Sequence, residues 1–366
     1  MCLKVGNAHF RLRDFDAALR SFNDAQLFVV REDGEGGKDA KRGARLRLEG
    51  QIMNNISASK ARKGDHESAM DEYTLSLRLK KEGLRNGHRD AVTDVANTLH
   101  NIGVLRHDLG EYDKAHESYR QALSLRVEKC GVEDLSVAST LVRVGDVYFL
   151  EGNYDRALRS YTEVLNIWKK RMGSMDPAVA SILHKIGLLY YRVGPYHRAK
   201  SVLKQAIKIK KDCLADKEVT RIDIASTYHL LGAVLTAMGL CDNAIKCFKT
   251  ALRIRVKAFA ESESSARHLS ILTTKLAMGE AHRLMGNADE AMECFRDVCE
   301  GRSRRLGFGH ESTAEVMKCN ALLLAESGNH AAAVNLLLKV LEIQKSRLGA
   351  DSALVAETLT HLAGSY

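Results

Sequence analysis

The chain has 366 residues, of which 45% are hydrophobic and 6% aromatic, and only 2 are prolines. This composition indicates a folded protein rich in helix and excludes a disordered chain, which would carry far fewer apolar residues. The formal net charge of +9 is compatible with an acidic partner, such as a nucleic acid.

One pattern recurs along the chain, a small residue followed twelve positions later by an alanine. The eight pairs are Gly6 and Ala18, Ser57 and Ala69, Gly103 and Ala115, Gly145 and Ala157, Gly187 and Ala199, Gly232 and Ala244, Gly279 and Ala291, and Ala321 and Ala333. A ninth small residue, Ala363, begins a further copy. Successive small residues lie 42 to 51 positions apart, which is typical of a helical solenoid.

Each copy predicts two antiparallel helices. In the fourth copy, apolar residues recur at helical spacing from Leu141 to Tyr148 and again from Ala157 to Trp168, on either side of Gly152. We predict that Gly145 packs closely on Ala157 where the two helices cross. The large residue sixteen positions after the small one, here Tyr161, is predicted to fill the space between neighbouring hairpins.

The same register places hairpins along the whole chain as one array. We expect them at residues 1–30, 47–82, 92–129, 134–171, 176–212, 221–258, 268–305 and 311–347, with a partial unit at 351–366. Residues 31–46 are expected to form a flexible loop, because the first interval is the longest. Both ends lie in or near a repeat without polar capping helices, so the terminal copies are expected to belong to a fragment and to fray.

The repeated motif resembles the tetratricopeptide repeat. The best matching segments are GEYDKAHESYRQALSL at 110–125 and ALRSYTEVLNI at 157–167. The resemblance implies an all-α fold, a right-handed α-solenoid of antiparallel helix pairs. It also implies a protein or peptide partner.

The repeat length resembles that of the kinesin light chain subclass, since the usual tetratricopeptide period is about 34 residues. The connector KKRMGSMDPAVA at 169–180 and the segment RLGADSALVAETLTHL at 347–362 carry this likeness. The coiled coil that joins such light chains to the motor has no counterpart here. Kinesin heavy chain is therefore not expected as a partner.

No enzyme, metal site or cofactor is predicted. The segment GEGGKD at 34–39 lacks the spacing and the hydroxyl of a phosphate-binding loop. Zinc-protease and nucleophile-elbow motifs do not occur. No apolar run approaches the roughly eighteen residues of a membrane span, and the first residues lack the apolar block of a signal peptide. We expect a cytoplasmic protein without a membrane partner.

The family resemblance implies that the first helices line a concave groove, with ligand contacts at defined positions around the small residue. The candidates are Gln51, Asn54, Arg62, Asn97, His100, His107, Ser139, Phe149, Ser181, His184, Tyr191, Arg192, Ser226 and His229. Amides bond a peptide backbone and guanidinium groups bond carboxylates. We predict a scaffold or adaptor that binds an extended, acidic peptide. The alternative is that these side chains are merely solvated. Asn55 and Asn101, two positions before the small residue, are expected instead to tie one repeat to the next by hydrogen bonds.

Basic residues cluster near the end of nearly every second helix. The clusters are Arg78, Lys80 and Lys81; Lys169, Lys170 and Arg171; Lys208, Lys210 and Lys211; Arg253, Arg255 and Lys257; Arg302, Arg304 and Arg305; and Lys345 and Arg347. We interpret them as solvated cations stabilised by the helix dipole. The alternative is a basic edge that binds nucleic acid or another acidic surface, although the lack of interleaved aromatic residues disfavours nucleic acid.

Overall fold

A computed structural model describes residues 1–31, 39–85, 91–213, 218–259 and 265–365. Over these ranges the protein is all-α, as predicted, with seventeen helices and no strand. The helices are α1 (Cys2–Arg11), α2 (Phe15–Arg31), α3 (Asp39–Lys63), α4 (His66–Arg85), α5 (Ala91–Asp108), α6 (Tyr112–Cys130), α7 (Leu135–Leu150), α8 (Tyr154–Met172), α9 (Pro177–Val193), α10 (Tyr196–Asp212), α11 (Glu218–Ala237), α12 (Cys241–Phe259), α13 (Ser265–Leu284), α14 (Ala288–Leu306), α15 (Glu311–Glu326), α16 (His330–Leu348) and α17 (Ala353–Ser365).

The chain divides into two compact units, Met1–Ser174 and Met175–Tyr366. In each unit consecutive helices pack in pairs, and each pair also packs on the next. We number the pairs as hairpins 1 to 4 (α1α2, α3α4, α5α6 and α7α8) in the first unit. Hairpins 5 to 8 (α9α10, α11α12, α13α14 and α15α16) and α17 form the second. Stacking buries both faces of a hairpin, which an isolated pair would leave in water.

The predicted loop at residues 31–46 is wrong for its second half. Helix α3 begins at Asp39 and is 25 residues long, so residues 39–46 extend the first helix of hairpin 2. Arg47 and Gln51 on this helix both donate to the Asp94 carboxylate of α5, at 2.5 and 3.1 Å. These two hydrogen bonds tie hairpin 2 to hairpin 3. Residues 32–38 lie outside the described residues.

Where the small residue is a glycine, the atom nearest to an added Cβ belongs to a ring or a branched side chain, and not to the alanine predicted from sequence. A Cβ added to Gly103 would lie 2.5 Å from the ring of Tyr119, and one added to Gly145 would lie 2.5 Å from that of Tyr161. Gly187 faces Leu203 at the same separation. The large residue sixteen positions on thus packs on the first helix of its own hairpin. The glycine makes room for this large side chain because it has no Cβ.

Consecutive hairpins are joined by a polar contact that we call the clasp. A long polar side chain near the end of a second helix reaches a threonine on the first helix of the next hairpin. Lys80 donates to Thr98 Oγ1 at 2.7 Å, and Lys210 donates to Thr227 Oγ1 at 3.0 Å. Arg126 and Arg255 donate in the same way to Thr140 and Thr274, and Gln344 accepts from Thr358.

The clasps correct the interpretation of the basic clusters as solvated helix ends. Lys80, Lys210, Arg255 and Arg302 are only 2%, 5%, 7% and 5% exposed. Burial lowers the pKa of Lys80 to about 8. One cation of each of these clusters therefore lies inside the stack, while neighbours such as Lys81 and Lys211 are exposed.

Within the two units, two contacts between hairpins depart from this pattern. Between hairpins 1 and 2 the corresponding positions hold Val29 and Ile52, which are both buried in one apolar cluster. Between hairpins 7 and 8 they hold Arg302 and Val316. Arg302 donates instead to the Ser312 carbonyl and the Glu315 carboxylate. A buried donor thus has an acceptor there as well.

Substitution of Gly103 by alanine is predicted to destabilise the protein. Alanine is normally the better helix residue by about 1 kcal/mol, but its Cβ would displace the buried Tyr119 ring and cost about 1–3 kcal/mol. Chemical denaturation measures the change. Gly309→Ala is the control, because a Cβ there meets no atom within 4 Å. Equal stability of the two variants would contradict the contact.

Loss of one clasp acceptor is predicted to be costly. Thr140→Val keeps the side-chain shape but leaves an N–H of the buried Arg126 without its hydroxyl, so the free energy of unfolding should fall by about 1–3 kcal/mol. Thermal and urea unfolding measure this loss. Ser139→Ala, at the exposed neighbouring position, should change stability by less than about 0.5 kcal/mol. A Thr140→Val loss no larger than that control would count against the clasp.

Candidate functional site

Asn97 lies on α5 and is held by the clasp arginine of its own hairpin. Arg126 Nη2 donates to Asn97 Oδ1 at 2.7 Å, while Nη1 donates to the Ser136 carbonyl at 2.6 Å and to Thr140. The carbonyl side of the Asn97 amide is thereby oriented inward. Its Nδ2 group keeps its donor capacity for a ligand.

The amides of three first helices form a hydrogen-bonded chain. Asn55 donates to Asn7 at 3.0 Å, Asn101 donates to Asn54 at 3.2 Å, and Asn54 contacts Asn55 at 3.5 Å. These bonds tie hairpins 1, 2 and 3 together along α1, α3 and α5. The hydrogen-bonding role that the sequence allowed for Asn55 and Asn101 is confirmed. The candidate Asn54 belongs to the same chain.

His100 and His184 occupy the same position in their hairpins and make the same contact. Their Nδ1 atoms lie 3.2 Å from Thr140 Oγ1 and 3.1 Å from Thr227 Oγ1, the two hydroxyls that also accept from clasp cations. Burial and the nearby Arg126 and Arg143 lower the pKa of His100 to about 4. Burial, Lys210 and Lys185 do the same for His184. Both rings are therefore neutral at pH 7.

His229 is the third histidine at this position, and it lacks the threonine contact. Its ring packs 5.6 Å from that of Phe248, and its Nδ1 atom is buried without a hydrogen-bond partner. Burial and Arg255 lower its pKa to about 4. Arg255 also approaches Ser226, another candidate, with Nη2 3.5 Å from Oγ. The candidates His229 and Ser226 thus both lie near the buried guanidinium group of Arg255.

Three candidate rings pair with the residue that begins the second helix of their own hairpin. His107 lies 6.2 Å from Tyr112, Phe149 lies 5.6 Å from Tyr154, and Tyr191 lies 6.2 Å from Tyr196. Phe10 and Phe15 make the same pair in hairpin 1. The rings therefore help to hold the turn between the two helices, and each is only partly buried.

Four other candidates are exposed. Arg62 and Arg192 extend from the ends of α3 and α9, while Ser139 and Ser181 lie near the starts of α7 and α9. Each serine hydroxyl donates to a carbonyl of its own helix, from Ser139 to Ser136 and from Ser181 to Pro177. Gln51, in contrast, is tied to Asp94. The candidates thus divide between tethered and exposed side chains.

Three cations of hairpins 7 and 8 pair with carboxylates. Arg283 pairs with Glu280 at 3.0 Å and also contacts Glu326. Lys318 pairs with Glu357, and the buried Arg302 pairs with Glu315 at 2.8 Å. Arg126, Lys210 and Arg255 form no such ion pair within the described ranges, where neutral oxygens accept their hydrogen bonds.

Sequence reasoning missed Arg126, which contacts Asn97 and lowers the pKa of His100. A signal for it existed, because a long polar residue recurs twenty-three positions after the small residue in most copies, with a threonine five positions before the next one. Examples are Arg126 with Thr140 and Lys210 with Thr227. Cations near helix ends are usually exposed, so this pairing was not recognised.

Stability is predicted to fall in mild acid because of the three histidines. Their folded pKa of about 4 lies below the ordinary 6.5, so the unfolded state binds more protons as pH drops through this window. The free energy of unfolding should fall by at least about 1 kcal/mol between pH 7 and 4.5. Replacing His100, His184 and His229 together by glutamine should shrink that drop, as measured by urea unfolding. An unchanged pH dependence would contradict the assignment.

Two further searches of the described residues gave no site. They contain no group of three or more histidine, cysteine, aspartate or glutamate side chains placed to hold a metal ion. None of their helices combines the length and the apolar character needed to cross a membrane.

Solved structures similar to this chain are repeat proteins. BtubC (BKLC) from P. vanneervenii is 23% identical, with a TM-score of 0.58 over 68% of this chain and 94% of that one. The apo form of RapI is 14% identical, with a TM-score of 0.68 over 100% and 96%. Repeats of a putative kinesin light chain from Podosopora anserina are 21% identical, with a TM-score of 0.49 over 59% and 99%. At these identities the likeness concerns the fold alone.

Family models match most of the chain. One tetratricopeptide repeat model matches residues 136–212 and 223–304, and a second matches 95–135 and 316–353. No curated protein matches the chain. Proteins built of such repeats are generally scaffolds for protein partners, and none of the matches indicates an enzyme family. The predicted repeat is confirmed, and the chain belongs to the tetratricopeptide repeat family.

Proposed function

We propose that the protein is a non-enzymatic scaffold that binds an extended, acidic peptide along the first helices of a unit. In the first unit the surface runs over α3, α5 and α7, with Asn97 and His100 at its centre. In the second unit the corresponding surface includes His184 and Ser226. One observation carries the proposal: the cations beneath these residues, Arg126 and Lys210, are buried and pair with no carboxylate among the described residues.

Electrostatics favour an acidic ligand at this surface. A buried cation bonded only to neutral oxygens keeps its charge uncompensated, and a nearby carboxylate would offset part of the desolvation cost. The exposed Arg62 and Arg192 add a guanidinium group to each unit. Hairpins 7 and 8, whose cations pair with Glu280, Glu315 and Glu357, offer no comparable attraction.

The polar and aromatic groups suit an extended chain. Asn97 presents an amide that can bond a peptide backbone, and the partly buried rings of His107 and Phe149 offer apolar contacts for its side chains. Pre-organised groups lose little entropy on binding, and the Asn97 amide is already held by Arg126.

The basic-edge alternative has less support. It relied on clusters at the ends of second helices, but Lys80, Lys210, Arg255 and Arg302 are buried. At the end of α8, Lys170 donates to the Glu133 carboxylate at 2.5 Å, so part of that edge is already neutralised. Fewer exposed cations remain there to release counterions from a nucleic acid.

Charge reversal at the exposed guanidinium groups is predicted to weaken binding. The probe is a fluorescent decapeptide of alternating glutamate and tyrosine, compared with its glutamine counterpart by anisotropy. Wild-type protein should prefer the acidic peptide. Arg62→Glu and Arg192→Glu, made singly and together, should lower its affinity, by at least about tenfold for the pair.

The control is Lys169→Glu with Lys170→Glu, which makes the same change in net charge at the end of a second helix. It should leave peptide affinity within about threefold, and circular dichroism should show that every variant stays helical. The proposal fails if wild-type protein binds both peptides equally. It also fails if the control weakens binding as much as the groove variants do.

A further inference from the structure

We infer that Arg126, Asn97 and Ser139 form a subsite for one carboxylate of the ligand, at the contact between hairpins 3 and 4. The inference rests on the proposed binding of an acidic peptide and names the place where one acidic group is held. The carboxylate lies over the exposed Ser139 and accepts hydrogen bonds from Arg126 Nη2 and Asn97 Nδ2.

The chain itself provides a filled version of this subsite between hairpins 7 and 8. Arg302 corresponds to Arg126 in the repeat, and its Nη1 donates to the Ser312 carbonyl as Arg126 donates to the Ser136 carbonyl. Three residues after Ser312 stands Glu315, whose carboxylate pairs with Arg302 at 2.8 Å. Three residues after Ser136 stands Ser139.

The side chain of Glu315 is 55% exposed, although the side chain of its partner Arg302 is only 6% exposed. A carboxylate can therefore reach the buried guanidinium from the solvent side of the first helix. Serine at position 139 is too short to do so, and its hydroxyl donates to the Ser136 carbonyl of its own helix. Arg126 Nη1 gives to Thr140 the hydrogen that Arg302 Nη1 gives to Glu315, so a carboxylate that approaches from the same side bonds Nη2 instead.

Arg126 has donor capacity for that ligand. A guanidinium carries five N–H groups, and three are used by Ser136, Thr140 and Asn97. The Nε group is buried without a partner, so the remaining donor is the second hydrogen of Nη2. It lies beside the Asn97 amide, whose Nδ2 can donate to the other carboxylate oxygen.

Among the described residues of the first unit, no acidic side chain pairs with Arg126. Arg126 forms no ion pair within the described ranges, and its pKa is lowered by burial, with only a partial opposing effect from Asp134. Arg143 on α7 adds a second positive charge near His100. Arg143 lies 3.8 Å from the Asp146 carboxylate, which also accepts from the Tyr161 hydroxyl.

The test fills the subsite from within the chain. Ser139→Glu reproduces the Arg302 and Glu315 pair, so affinity for the glutamate and tyrosine decapeptide should fall by about tenfold. Thr162→Glu, which adds the same charge at an exposed position of the second helix α8 in the same unit, should stay within about threefold. Loss of affinity in both variants, or in neither, would overturn the subsite.

A second pair of variants separates the subsite from general repulsion. Arg126→Gln removes the cation while keeping a side chain that the chain itself uses in a clasp, since Gln344 accepts from Thr358 at 2.7 Å. It should also weaken binding by about tenfold. Adding Ser139→Glu to Arg126→Gln should then have no further effect, whereas general repulsion would weaken binding again and contradict the subsite.

A measurement without peptide tests the subsite independently of the proposed function. The pKa of the glutamate introduced by Ser139→Glu is followed by carbon NMR, with the Arg126→Gln background as reference. Arg126 should lower that pKa by at least about half a unit. If wild-type protein prefers the acidic peptide but this shift is absent, the subsite is wrong and the scaffold proposal stands. If the shift is present without peptide preference, the scaffold proposal fails and the anion subsite stands.

Discussion

Several contacts between hairpins in this protein contain a buried cation whose hydrogen bonds end on neutral oxygens. Arg126 and Arg255 lie between hairpins, and threonine hydroxyls and backbone carbonyls accept their N–H groups. These bonds satisfy the donors but leave the charge uncompensated in a medium of low polarity. The same side chains therefore join the repeats and set a positive potential beneath the first helices. The buried cations thus contribute both to the fold and to the proposed binding.

Much of the fold could be predicted from the sequence, because the small residue and its alanine recur at a readable interval. That register located the first and second helices and identified the family. It misjudged what Gly145 faces, since the spacing gives the pair of helices but not which side chain crosses between them. It also placed residues 39–46 in a loop because the first interval is the longest, whereas α3 begins at Asp39 and includes them.

The candidate site was harder to predict, because the function of a polar residue depends on its partners. The sequence marked Asn97 and His100 correctly as first-helix residues, but Asn54 and Gln51 are tied to neighbouring hairpins and His107 packs on Tyr112. Arg126 was missed altogether, since burial of an arginine cannot be inferred from hydropathy. Only the pairing of a cation in one hairpin with a threonine in the next distinguishes it from its solvated neighbours.

The turn of hairpin 1 holds Arg13 at a φ of 64°, where the other turns have glycines such as Gly152 at 75°. An L-residue in this left-handed region costs about 1 kcal/mol or more relative to glycine. The backbone shape of the turn is thus imposed by the packing of α1 on α2 rather than by the residue at its apex. Hairpin 1 consequently carries conformational strain that the other turns avoid, and the apolar core around Phe22 must offset it to keep the pair closed.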